Sequence, residues 1–328
     1  MHVVPARAAI CLGILGIGLS AQQRPTIQVP VRLVTVPTLV LSKNGKPLPT
    51  LELKDFRLYD DGREQNIKLD TESAPLSVAL AVQINREVRE YLPFIAKVGS
   101  VVDNLLLGER GQAAVLTYNE DVTLVKSFGT GEVRSALQRI SADGEKSRMI
   151  DAGVRAIELL KAEQGSRSRV LLFIGQPADA GSTGNLAALE EQAELENVSI
   201  YALALPEIGK TFVSDTFRLN GYGNQWYKGG YVASVELTKL IPVLSRTAKA
   251  KSGEDPFTLL TAATGGLQLH FRKQTQLEEA LADIGTELRS LYTLSYAPGS
   301  DRPGYHRISV EIDVPDVVVH ARPGYRHP

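Results

Sequence analysis

Ser77-Val-Ala-Leu-Ala-Val-Gln-Ile-Asn-Arg-Glu87 is the stretch on which the fold turns. Val78–Val82 is a short apolar run, with Pro75 before it and a polar cluster after it. That pattern predicts a strand buried on both faces of a sheet, since a half-exposed strand would alternate. Gln83, Asn85, Arg86 and Glu87 then stand where such a strand ends and a helix begins. In open α/β sheets that edge is where ligands bind.

Downstream, strand and helix alternate. Leu92, Ile95, Val98, Val102 and Leu106 recur at helical spacing and predict a helix over 90–107. Strands are expected at 111–118 and 122–128, about the polar turn 119–121, and again at 170–174 and 199–205. Helices are expected at 132–140, 149–162 and 186–196. This alternation predicts an α/β fold over 75–291: a doubly wound, mostly parallel sheet with helices on both faces. Residues 206–255 interrupt the rhythm with a Gly-rich insertion that carries Tyr222, the sole Trp226, Tyr227 and Tyr231. A helix at 256–263, a strand at 267–270 and an amphipathic helix at 276–291 follow.

The flanks read as β. In 27–70, β-branched residues alternate with others between turns at Ser42–Lys46 and Asp60-Asp-Gly62. Pro30 and Pro37 predict that the first strand lies at an edge or bends. In 292–326, strands are expected at 292–296, 306–314 and 317–321. Each flank is too small to fold alone, and domain ends tend to lie close together. The two are therefore expected to join in one small β-sandwich-like unit beside the α/β sheet.

Composition bounds the function. At 43% hydrophobic and 22% charged, the 328-residue chain has ordinary material for a core. A net charge of −1 supplies no basic field for nucleic acid or anionic membranes. Arg7, the apolar run Ala8–Leu19 and then Ser20-Ala21 read as a secretory signal over 1–21. An uncleaved anchor is the other reading, although the run is shorter than the ~20 residues that a spanning helix needs. The mature chain is expected in the periplasm or outside the cell, with no transmembrane span. The one cysteine, Cys11, lies inside the signal, so neither a disulfide nor thiol chemistry is expected.

Asn44–Leu48 with Leu53–Gly62, and then Leu288–Pro298, Gly304–Val310 and Ala321–Tyr325, together resemble the opening and closing blocks of the acidobacterial-type VWFA-related domain family. The resemblance covers roughly residues 27–326. It implies a von Willebrand factor A (vWA) fold, which is a Rossmann-like sheet without a nucleotide. It also implies protein binding, often through a metal-ion-dependent adhesion site. That site uses D-x-S-x-S after the first strand, a Thr on a later loop and an Asp after the fourth strand. Its oxygen ligands hold a divalent cation with one position open to the partner's carboxylate.

This chain departs from that pattern. Gln83 stands for the first Asp, Asn85 and Glu87 for the serines, and Ser147 for the Thr. Gln176 stands for the later Asp, or Gly175 if the gap is placed differently, and Asp179 follows. Arg86 adds positive charge to the first loop, which opposes cation binding. The implied adhesion site is degenerate, with no metal and no cofactor. The alternative is a substitute oxygen cage of Asn85, Glu87, Ser147 and Asp179 around Mg²⁺ or Ca²⁺.

Motifs for catalysis are missing. Gly129-Thr-Gly131 is followed by Arg134 where a dinucleotide fingerprint wants Gly, and neither G-x-S-x-G nor H-E-x-x-H occurs. Five scattered histidines give no zinc-ligand spacing, and His306 and His320, in β texture, read as satisfied surface residues. The chain reads as a non-enzyme. Its expected work is binding a protein partner, in adhesion or at the envelope, and not nucleic acid. Tyr222, Trp226, Tyr227 and Tyr231 are the candidate contacts, being of hot-spot type. The competing role for these aromatics is a lid over the vacated metal position. A structural envelope component without a specific ligand is the remaining reading.

Overall fold

The structure, a computed structural model, describes residues 33–44, 46–70, 75–163, 167–205, 255–270, 285–286, 288, 290–300 and 302–327. The expected signal 1–21, most of the helix expected at 276–291, and insertion residues 206–254 with Tyr222, Trp226, Tyr227 and Tyr231 lie outside the described residues. The described residues begin with β1 (Val34–Ser42), β2 (Phe56–Asp60), β3 (Arg63–Glu64) and β4 (Lys68–Asp70). Then comes β5 (Leu76–Gln83), buried at every position, as its unbroken apolar run predicts.

β5 sits inside a six-stranded sheet. Its neighbours are β6 (Gln112–Tyr118) and β8 (Ser168–Gly175), both parallel to it. β7 (Val122–Lys126) closes one side antiparallel to β6, while β9 (Val198–Ala204) and β10 (Gln268–His270) extend the other in parallel. The order is β10-β9-β8-β5-β6-β7. The chain winds outward from β5 through β6 and β7, then returns to β8 on the other side of β5. This is a doubly wound, vWA-type sheet with one antiparallel edge, and its switch point lies between β5 and β8.

The alternation along β5 divides two cores. Val78, Leu80 and Val82 pack with α1 (Leu92–Val101) and α2 (Val133–Leu137). Ala79 and Ala81 pack with α3 (Met149–Ala162), α4 (Leu186–Leu195) and α5 (Pro256–Thr264). Small residues on that second face let α3 lie close to the sheet. Gly99 does the same between α1 and α2: a Cβ there would stand 2.4 Å from the Arg134 Cα. The helices carry the caps their sequences supply. Asp255 Oδ1 accepts from Phe257 N at 2.8 Å with Pro256 in the first turn, and α5 stops at Gly265 with φ 75°. The helix expected over 90–107 is divided. Residues Arg86–Tyr91 form a 3₁₀ turn and Val102–Leu106 a π turn, while Pro93 marks the start of α1, where its missing N–H costs nothing.

The flanking segments build two more sheets from both ends of the described chain. One has the order β13-β1-β11-β4, and the other β14-β12-β2-β3, where β11 is Tyr292–Tyr296, β12 Gly304–Ile312, β13 Val317–Ala321 and β14 Gly324–His327. β14 was not expected from the sequence. The two sheets share one core, with Val36, Val40, Leu294 and Tyr296 from the first and Phe56, Leu58, Ile308 and Tyr325 from the second. β1 is internal rather than an edge strand. Its first half pairs with β11 up to Thr38, and its second half pairs with β13 from Thr38 onward. Pro37 lies where β1 passes from one partner to the other, and beyond it Leu48 N donates to Val40 O at 3.0 Å and Ser42 N to Lys46 O at 2.9 Å on the side away from β13. Arg322, 5% exposed, ties this unit to the α/β sheet by donating to Asn197 Oδ1, and Arg326 Nε lies 3.2 Å from Glu194 on α4. Among the described residues, no helix is long and apolar enough to cross a membrane.

Candidate functional site

The carboxyl ends of β5 and β8 meet at the switch point, and Gln83 and Gln176 stand there, 0% and 4% exposed. Their amides interlock. Gln83 Oε1 accepts the Gln176 backbone N–H at 2.6 Å, while Gln83 Nε2 donates to Asn85 Oδ1 at 2.9 Å and to Gln176 Oε1 at 3.5 Å. Asn85 Nδ2 reaches the Glu145 carbonyl at 3.4 Å and Glu87 Oε2 at 3.5 Å. A carboxylate only accepts, whereas an amide both donates and accepts. Exchanging the expected acids for amides therefore turns mutually repelling oxygens into self-satisfying pairs.

Gly175 permits this closeness, since a Cβ there would fall 2.4 Å from the Tyr118 hydroxyl and 2.8 Å from Gln83 Oε1. The Tyr118 hydroxyl has no hydrogen-bond partner among the described residues. Burial, and then the charge of Asp179, pushes its pKa well above the ordinary phenol value.

Ser147 and Asp179 are engaged on the next loops. Ser147 Oγ donates to Ala178 O at 3.0 Å, and the Ser147 and Ala180 backbones exchange hydrogen bonds at 2.8 and 3.0 Å. Asp179 Oδ1 accepts from Ile150 N at 2.9 Å and from Ser182 Oγ at 2.6 Å, so it caps the first turn of α3. Asp151, in the same turn, accepts from the amides of Thr183 and Gly184 and pairs with Arg148 at 2.6 Å. Burial raises the Asp151 pKa, but these amides and the guanidinium outweigh it and hold the carboxyl below its usual range. The Glu120 carboxyl, held low by the Glu145 amide, pins the loop before Ser147 through the amides of Glu145 and Lys146. Arg86, exposed, pairs with Glu145 at 3.1 Å.

The expected positions thus fall into two knitted groups. Gln83, Asn85 and Gln176 join directly, with Glu87 reached through Asn85. Ser147 and Asp179 share a second loop cluster whose side chains face backbone carbonyls and the α3 terminus.

The β unit holds a cluster that the sequence reading missed. His306, expected at the surface, is 2% exposed, and it lies on β12 while His320 lies on β13 of the other sheet. Its Nδ1 is 3.4 Å from Asp60 Oδ1 and 3.2 Å from Asp61 Oδ2. Two signals could have found it. Alternation puts His306 on the face of Ile308, and it puts Asp60 on the face of Phe56 and Leu58.

No protein-family model matches the chain, and no curated protein matches it. Solved structures do. An aerotolerance-related membrane protein from Bacteroides fragilis NCTC 9343, with multiple mutations to serines, aligns at 12% identity and TM-score 0.42, over 65% of this chain and 98% of that one. The conserved hypothetical protein BatB from Bacteroides thetaiotaomicron aligns at 11% and 0.40, over 65% and 98%. The SpRpn10 VWA domain aligns at 9% and 0.36, over 64% and 93%. Strand order and burial carry the vWA-like fold of this chain.

Proposed function

We propose that this chain is an exported, non-enzymatic vWA-like module that binds a protein partner with no ion at the adhesion-site position. The interlocked amides of Gln83, Asn85 and Gln176 carry this reading. An ion there would have to displace hydrogen bonds that already satisfy the would-be ligands, with no buried carboxylate among these three to repay it. The substitute cage fares no better, because Asp179 would have to leave the α3 terminus and Ser147 the Ala178 carbonyl. Export rests on the Arg7, Ala8–Leu19 and Ser20-Ala21 pattern.

Recognition is assigned to the segment between Leu205 and Asp255. Leu205 N donates to Gly175 O at 2.8 Å, so the segment leaves the end of β9 beside the β8 end that carries Gln176. Its sequence supplies Tyr222, Trp226, Tyr227 and Tyr231, residue types that dominate binding hot spots.

The test compares the intact chain with a deletion of residues 210–250, by quantitative capture from the exported fraction of the source cells. A discrete partner retained by the first and lost by the second supports the reading, and equal capture by both overturns it. Thermal unfolding in MgCl₂ or CaCl₂ is expected to show no shift that depends on Glu87.

A further inference from the structure

We propose that Asp60, Asp61 and His306 form a binding site for one divalent transition-metal ion, of the type that takes mixed imidazole and carboxylate ligands, with zinc the best match. This inference is independent of the function proposed above, and the site lies in the β unit rather than at the switch point.

Three atoms that each offer a lone pair converge. His306 Nδ1, an Asp60 oxygen and an Asp61 oxygen all lie within 4.8 Å of one another. The two nitrogen–oxygen separations, 3.4 and 3.2 Å, suit a tetrahedral ion: ligands about 2.1 Å from a zinc ion stand roughly 3.4 Å apart.

The tautomer is set from behind. His306 Nε2 lies 2.7 Å from the Arg302 carbonyl, which can only accept, so Nε2 carries a hydrogen. In the neutral ring Nδ1 then presents its lone pair to the carboxylates. A metal-ligating histidine almost always donates its other ring N–H in this way. Tyr325 fixes the ring plane by stacking on it at 5.1 Å.

Asp60 is oriented similarly. Its Oδ2 accepts the hydroxyls of Tyr296 at 2.9 Å and Tyr325 at 3.0 Å. Its Oδ1 is buried, faces His306 and has no hydrogen-bond partner among the described residues. A buried acceptor left in this way costs free energy unless something else satisfies it. The third ligand supplies access. Asp61 is 37% exposed at its side chain and occupies left-handed backbone, φ 48°, in the turn that joins β2 to β3.

One competitor is present. Arg302 Nη2 donates to Asp61 Oδ2 at 2.7 Å, but this guanidinium is 64% exposed and can swing into solvent. Asp61 Oδ1 is retained by the Arg307 amide at 3.0 Å. The rival occupant of the gap is a proton on Nδ1, which would make the cluster a buried ion-paired hydrogen-bond network.

The experiment uses the full chain, stripped with a chelator and titrated with ZnCl₂ by calorimetry and by thermal unfolding. One equivalent of zinc is expected, with a rise in melting temperature. Asp61→Asn fits the same left-handed turn and keeps the Arg307 contact, and it is expected to weaken zinc binding roughly tenfold or more. Arg302→Gln frees Asp61 Oδ2 and is expected to tighten it. Glu87→Gln, at the switch point, is expected to leave it unchanged. Cobalt(II) in place of zinc is expected to give the visible absorption of a tetrahedral site in the wild type and not in Asp61→Asn. Absence of zinc binding by the folded chain overturns the proposal in favour of the proton. So does equal binding by Asp61→Asn, or weaker binding by Arg302→Gln.

Discussion

The switch point of the six-stranded sheet and the turn between β2 and β3 make opposite use of polar burial. At the switch point, where the fold leads one to expect a ligand, Gln83, Asn85, Glu87, Ser147, Gln176 and Asp179 each already share a hydrogen bond, and among the described residues only the neighbouring Tyr118 hydroxyl is left without one. In the β unit, where the fold leads one to expect only a turn, three acceptor-bearing side chains are aimed at one another and one oxygen stays unsatisfied. The lesson concerns donor balance. Gln83 and Asn85 each bring an NH₂ as well as an oxygen, so such residues can close a cleft without help. Asp60 Oδ1 and an imidazole whose N–H faces away cannot satisfy each other, and that gap calls for a cation or a proton.

Five changes would break or sharpen that contrast. The largest effect is expected from Gln83→Glu. It removes the donor to Asn85 and places an uncompensated charge at a fully buried position, so the urea midpoint should fall by the equivalent of about 3–5 kcal/mol. Recovery of most of that loss in MgCl₂ would mean that the edge is a latent metal site after all.

Tyr296→Phe should cost about 1.5–3 kcal/mol, because the lost hydrogen bond goes to a carboxylate in a buried setting. Burial, and then the Asp60 charge, raises the Tyr296 pKa well above its ordinary value, so the hydroxyl remains a donor at any usable pH. A cost under 0.5 kcal/mol would show that Asp60 is not held by that bond.

Asp179→Ala should cost about 1 kcal/mol through loss of the α3 cap, with no change in response to Ca²⁺. A calcium-dependent melting shift present in the wild type and absent from this variant would restore the substitute cage.

Asp151→Asn addresses pH. A carboxyl held below its unfolded value of 3.8 contributes stability above that pH, and the contribution is lost as pH falls through the folded value. The variant should therefore be less stable near neutrality and should show a flatter acid limb in a melting series from pH 6 to pH 2. An unchanged acid limb would mean that the Thr183 and Gly184 amides do not depend on the charge. Least is expected of Glu87→Gln, an exposed change within about 0.5 kcal/mol.

Much of the fold was legible, because local patterning and tertiary burial agreed. The apolar run of β5, the Met149–Ala162 helix and the Val317–Ala321 strand fall where the sequence puts them. The Asp60-Asp-Gly62 turn is present too, with Asp61 and Gly62 both at positive φ. What escaped was nonlocal. β14 is only four residues long, and it is defined by antiparallel pairing with β12 rather than by an apolar pattern of its own. Alternation marks His306 as sharing the face of Ile308, but only the register of β12 on β2, with Ile308 opposite Asp60, brings it to Asp60. Gln83, Asn85, Glu87, Ser147, Gln176 and Asp179 were legible as residue types. That they would close on one another through 2.6–3.5 Å contacts depends on loop geometry, which spacing does not carry.

The pairing of β1 with β11 and β13, and of β2 with β12, has a consequence for how the chain is made. Asp60 and Tyr296 touch across 236 residues, and Asp60 and Tyr325 across 265. During synthesis, the first strands must wait for partners until the whole α/β region has been produced. That region, whose strands mostly neighbour strands close in sequence, can condense meanwhile. Val36, Val40 and Leu58 have no shared core until β11 and β12 arrive. Contacts of such long span form slowly, and unpaired strand edges are aggregation hazards. The strands furthest along the chain act as a latch, closing β1 and β2 into their sheets.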